Sequence, residues 1–83
     1  MTELSMNEKM ILVQYAIEKY EKKEELFQKL SATLSEKDIQ RSLDTLIGTQ
    51  RVRRIGPEIV QNNKSHTELP ELPANLKPIL EDI

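Results

Sequence analysis

The chain has 83 residues, 37% apolar and 31% charged, with no cysteine, a single histidine (His66) and a formal net charge of -2. This composition excludes disulfides, thiolate zinc sites, a cysteine nucleophile and any two-histidine metal constellation. The length allows one small domain with a tail, and the 4% aromatic content makes its limited core an aliphatic one.

No apolar run approaches the length of a membrane span. The opening residues, MTELSMNEKM, lack the basic start and apolar stretch of a signal peptide. The expectation is a soluble, cytoplasmic protein. Charge is unevenly distributed. Residues 1–50 carry 7 positive and 9 negative side chains, residues 51–64 carry 4 and 1, and residues 65–83 carry 1 and 4, giving -2, +3 and -3.

A first helix is predicted over residues 6–23, with Asn7 or Ser5 as its cap and Glu8 in its first turn. At about 100° per residue, Met6, Met10, Val13, Ala16, Ile17 and Tyr20 fall on one face. Ile11, Leu12 and Tyr15 project from nearly the opposite side and need a cover of their own. A second helix is suggested by residues 24–33, where Leu26, Phe27 and Leu30 form a short apolar face. The shift of the apolar stripe between Tyr20 and Phe27 favours a bend between the two helices.

The third helix has the clearest start. Ser35-Glu36-Lys37-Asp38 resembles a capping box with Asp38 in place of the usual Glu or Gln. Ile39, Leu43, Leu46 and Ile47 then recur at i, i+4, i+7 and i+8, and Gly48 is expected to end the helix. Lys37, Gln40, Arg41, Asp44 and Thr45 face outward. Residues 52–55 and 58–61 read as two short strands around Gly56-Pro57, although Gly-Pro is not a favoured hairpin turn. Residues 62–66 read as a loop, with His66 an ordinary loop histidine. The tail has three prolines and the apolar set Leu69, Leu72, Leu76, Ile79, Leu80 and Ile83. It is expected to run extended and then to form a short helix near Pro78, docked on apolar surface.

Helix, helix, capped helix and a hairpin with basic residues at its base resemble the winged helix-turn-helix family over residues 6–61. Leu26 to Leu30 stand as the motif's first helix, Leu34-Ser35 as its turn and residues 35–47 as the recognition helix. Val52-Arg53-Arg54-Ile55 and Ile59-Val60 occupy the place of the wing. One departure concerns Gln50, which stands where the family often has a glycine before the first wing strand. The resemblance implies a mainly α domain with a small β-hairpin: three helices and a wing over residues 1–64, then a docked tail over residues 65–83.

That fold implies a duplex-DNA-binding regulator. A helix packed on one face can present the other to the major groove. Gln40 and Arg41 would reach base edges, while Lys37, Ser42 and Thr45 would approach the backbone. Arg51, Arg53 and Arg54 would neutralise phosphates or enter the minor groove. Against this, the arginines could equally form a solvated face or pair with Glu58 and the tail acids. Asp38 and Asp44 beside the reading surface oppose phosphate.

Pairs such as Glu18–Lys22 and Glu25–Lys29 have the spacing of helix-stabilising pairs. No phosphate loop, nucleophile-base pair or metal cluster is present, so neither an enzyme nor a cofactor is expected. The patch of Ile11, Leu12 and Tyr15 can be covered by the tail, through Leu72, Leu76, Ile79 and Leu80, or by a second copy. The expectation is a homodimer using helix one and the tail. The rival reading is a protein-protein interaction module, an adapter in a larger complex, favoured by the acidic balance and the Leu/Pro-rich tail.

Overall fold

The computed structural model describes residues 4–65 and 68–83. His66, read above as a loop histidine, lies outside them. The chain is mainly helical with one antiparallel hairpin. The order is α1 (Met6–Lys19), α2 (Lys23–Leu30), α3 (Glu36–Gly48), β1 (Val52–Arg54), β2 (Val60–Asn62), a 3-10 turn (Ala74–Leu76) and α4 (Lys77–Asp82). Among the described residues, no helix is long and apolar enough to cross a membrane.

Ser5 is the cap of α1. Its hydroxyl accepts from the Glu8 amide at 3.2 Å, and the Glu8 carboxylate accepts from the Ser5 amide at 2.9 Å. This reciprocal pair satisfies two of the helix's unbonded amides. The helix ends at Lys19, four residues earlier than the periodicity suggests. Tyr20 and Lys22 turn extended, and Lys22 bridges Ile59 in antiparallel fashion. The Val60 amide donates to the Glu21 carbonyl at 3.0 Å, and the Lys23 amide to the Glu58 carbonyl at 2.7 Å. The hairpin thus acquires a third rung from the α1–α2 link, which supplies backbone partners to the outer edge of β2.

The core is built around α1. Leu12, Val13, Ala16 and Ile17 are buried against Leu26 and Leu30 of α2, Ile39, Leu43 and Leu46 of α3, and Val52 and Val60 of the hairpin. The single core stripe expected for α1 is therefore too narrow. Ile11 and Leu12 are buried like Val13, whereas Met6, assigned to the core face, is 36% exposed. β1 pairs β2 with Val52 opposite Asn62, Arg53 opposite Gln61 and Arg54 opposite Val60. Asn62 extends β2 instead of opening a loop, because its side-chain amide is drawn to α1, donating to the Gln14 carbonyl at 2.8 Å and to Glu18 at 3.1 Å.

The tail covers the second face of α1. Leu76 is fully buried, and Leu72, Ile79, Leu80 and Ile83 pack around it. Side chains of α1 and its C-cap hold the tail by its backbone. The Tyr15 hydroxyl donates to the Pro70 carbonyl at 2.6 Å, Lys19 Nζ to the Leu80 carbonyl at 2.9 Å, and the Tyr20 hydroxyl to a backbone oxygen of Ile83 at 2.9 Å. Asn75 donates to Glu8. Of the two covers weighed for Ile11, Leu12 and Tyr15, the intramolecular one is in place. Tyr15 and the tail residues Leu72, Ile79, Leu80 and Ile83 stay half-buried.

The exit of α3 differs from expectation. Gly48 is the last helical residue, but the left-handed turn falls on Gln50, at φ 63. The Arg51 amide bonds to the Leu46 carbonyl at 2.9 Å and the Gln50 amide to the Ile47 carbonyl at 3.1 Å. This is a Schellman ending with glutamine at the position that favours glycine. It accounts for the departure from the family pattern: the conformation is present and the residue type is not.

Two stability predictions follow from these contacts. Gln50→Gly relieves the left-handed strain and raises stability by about 0.5–1 kcal/mol, seen as a higher urea midpoint at unchanged m-value. Leu76→Ala removes a fully buried side chain and lowers stability by about 2–5 kcal/mol. A Leu76→Ala midpoint equal to wild type would mean that the tail does not belong to the core.

Candidate nucleic-acid interface

α3 is amphipathic in the way its sequence dictates. Ile39, Leu43 and Leu46 are fully buried, while Lys37, Arg41, Asp44 and Thr45 are exposed. Glu36, Lys37, Gln40, Arg41, Asp44 and Thr45 line one shallow groove along its outer face. Four of the sequence-predicted contacts, Lys37, Gln40, Arg41 and Thr45, are thus brought together. Ser42 is not among them. It is fully buried with its hydroxyl unpartnered among the described residues, since one residue beyond Arg41 the helix has already turned inward.

The arginines after α3 do not form one cluster. Strand alternation sends Arg54 to the side of Val52 and Val60 and Arg53 to the reverse side with Gln61. Arg51 lines a separate crevice with Gln14, Glu68 and Pro70, beside the tail. Among the described residues the ion pairs are Lys9–Asp38 and Lys64–Glu18. Arg41, Arg51, Arg53 and Arg54 therefore hold no carboxylate, and the expected alternative pairing with Glu58 is not made.

Two acids read in the sequence as opposing phosphate have different fates. Asp38 accepts from Lys9 Nζ on α1 at 3.0 Å, and the charge of Arg41 in the groove acts on it as well. Its backbone amide donates to the Ser35 hydroxyl at 3.1 Å, so the cap forms as predicted while the carboxylate serves α1. Asp44 stays in the groove and accepts from Gln40 Nε2 at 2.8 Å. The i, i+4 spacing of these two residues was the signal for that pair, though the sequence reading placed them separately. Thr45 donates its hydroxyl to the Arg41 carbonyl at 2.9 Å.

The groove lining has two acids, Glu36 and Asp44, against two bases, Lys37 and Arg41. A neighbouring crevice is lined by Lys23, Glu24, Phe27, Glu36, Gln40 and Glu58, and is acidic on balance. No local pattern announces this second feature, because Glu58 is carried to α2 only by the bridge between Lys22 and Ile59. Comparison of the chain with family models, with curated proteins and with solved structures gives no match.

Three carboxylates are held below their ordinary range: Asp38 mainly by the Lys9 ammonium, Glu18 mainly by Lys64 and then Asn62, and Glu8 mainly by the Ser5 backbone amide and then Asn75. A lowered folded-state value means that the unfolded chain takes up these protons first. The contribution to stability is complete above the ordinary carboxylate value of about 4 and is lost as pH falls through the lowered folded values. The urea midpoint should be flat from pH 7 to 5 and fall below pH 4. Asp38→Asn should lower it at neutral pH and make the acid fall shallower. An unchanged pH profile in that variant would show that the Lys9 contact does not clamp α3 to α1.

Proposed function

We propose that this chain is a winged helix-turn-helix domain that binds duplex DNA, with α3 laid in the major groove and the β1–β2 hairpin acting as the wing. The observation that carries the reading is the combination of α3's inward anchoring with its bare outer face. Ile39, Leu43 and Leu46 fix the helix, while Lys37 and Arg41 stand exposed and unpaired among the described residues. Arg53 and Arg54 follow on the hairpin, also exposed and also without carboxylates. Lys9 partly offsets the negative charge of Asp38 beside the groove.

The proposed unit engages one half-site per chain. Homodimerisation on a two-fold operator is compatible with it, and the half-buried tail residues Leu72, Ile79, Leu80 and Ile83 on α1 are the surface it would use. A second reading, a protein-interaction module, is favoured by one specific observation: the acidic crevice of Glu24, Glu36 and Glu58 around Phe27, next to the same helix. Phosphate is repelled there, and a basic, apolar peptide segment would be accepted.

Salt separates the two readings. Contacts from Lys37, Arg53 and Arg54 to about three phosphates give a log–log salt slope near about -2.7, a loss of about 40-fold between 50 and 200 mM salt. Anisotropy with a labelled random-sequence duplex reads this directly. Arg53→Ala/Arg54→Ala should weaken binding and reduce the slope by about 2. Absence of binding by the wild-type chain at 20 mM salt would end the DNA reading and leave the interaction module.

A further inference from the structure

Asp44 stands where neither stability nor phosphate affinity would put it. It lies past the middle of α3, where the helix dipole increasingly favours cations, and it faces the groove that the DNA reading assigns to a polyanion. An i, i+4 glutamine–aspartate contact gives a helix only modest support. What the contact does accomplish is to orient an amide. A carboxylate only accepts, so the 2.8 Å bond from Gln40 Nε2 to Asp44 Oδ1 fixes which end of the Gln40 amide faces Asp44. The stem of Gln40 is held as well, half-buried beside Phe27 and Glu36.

One N–H of the amide is spent on Asp44. Where Asp44 takes the N–H anti to Oε1, the other N–H and Oε1 remain as a donor beside an acceptor. In the major groove, adenine alone presents the matching pair on one base, an acceptor at N7 beside a donor at N6. Guanine offers two acceptors, thymine an acceptor and a methyl group, and cytosine a donor without the adjoining acceptor.

We propose that Gln40 reads adenine and that Asp44 is its positioning residue, giving up non-specific affinity for base discrimination. This rests on the DNA reading above. A helix-surface pair of purely structural value would not link these two properties.

The test uses full-length chain with Asp44 as wild type, Asp44→Ala and Asp44→Asn. Each is measured by anisotropy on a random-sequence duplex and by selection from a random duplex pool with sequencing. Asp44 is exposed, so both variants keep the fold. Removing the charge should raise random-duplex affinity about 3- to 5-fold in both. Asp44→Ala should lose an adenine preference at one position, whereas Asp44→Asn should keep it, because the asparagine oxygen still accepts from Gln40. An adenine preference that survives in Asp44→Ala, or that is missing from wild type, overturns the inference while leaving DNA binding standing. A wild type that binds no duplex at low salt overturns both.

Discussion

Burial of α1 around almost its whole girth is the constraint from which the rest of the structure follows. A helix that shows apolar side chains on two sides has to be covered on two sides, and here α2, α3 and the hairpin take one and the tail takes the other. In so small a domain, few residues are left to form a separate core. α1 therefore positions each element: the Lys9 ammonium reaches the first turn of α3, Glu18 and the Gln14 carbonyl hold the end of β2, and Tyr15, Lys19 and Tyr20 grip the tail. These polar contacts run from α1 and its C-cap to partners on other elements, so each fixes a position while the apolar burial supplies most of the stability.

That arrangement determines what α3 can present. Its inner stripe is used up by the core and Asp38 is paired with Lys9, which leaves a groove lined by two acids and two bases. An element of this kind attracts a polyanion weakly through its groove and more strongly through its periphery. On the DNA reading proposed above, affinity and discrimination would be divided between different residues, phosphate contacts to the hairpin and base edges to α3. On that same reading, the acidic crevice around Phe27 would limit how far toward α2 a duplex could lie.

The legible parts of this chain were those governed by local rules. Ser5 and Ser35 cap because a hydroxyl before an apolar-periodic run has a nearby amide to accept from. Ile39, Leu43 and Leu46 are buried because their spacing puts them on one side of a helix. The coarse class and the outward set Lys37, Gln40, Arg41 and Thr45 follow from the same rules. What was not legible depends on partners distant in the chain. Lys22 leaves the helix to pair with Ile59, 37 residues on, and no residue near Lys22 announces it. The choice between tail and second copy as the cover of Ile11 and Leu12 is equally non-local, since both satisfy the same unsatisfied surface. The division of Arg53 from Arg54 was legible in principle, because strand alternation alone separates neighbours, but a charge cluster in a linear sequence reads as one patch.

The places where local preference is violated are not scattered. Ser42 is buried with an unpartnered hydroxyl, Asp44 puts a negative charge past the middle of a helix, and Gln50 adopts a left-handed conformation that glycine would take without strain. All three lie on α3 or its exit, while a fourth, the buried Oδ1 of Asn62, unpartnered among the described residues, lies on β2 against α1. Gln50 has a partial compensation, since its carbonyl accepts from Asn63 Nδ2 at 3.0 Å and so ties the exit of α3 to the closing end of the hairpin. Natural sequences that agree with their fold at most positions tend to break the rules where something besides stability is being selected. α1, more deeply buried and more central, shows no such conflict among its apolar residues. On the DNA reading proposed above, a concentration of such conflicts on the helix with the bare face is what recognition carried by that helix would produce, although buried Gln14 shows that α1 carries a polar group of its own.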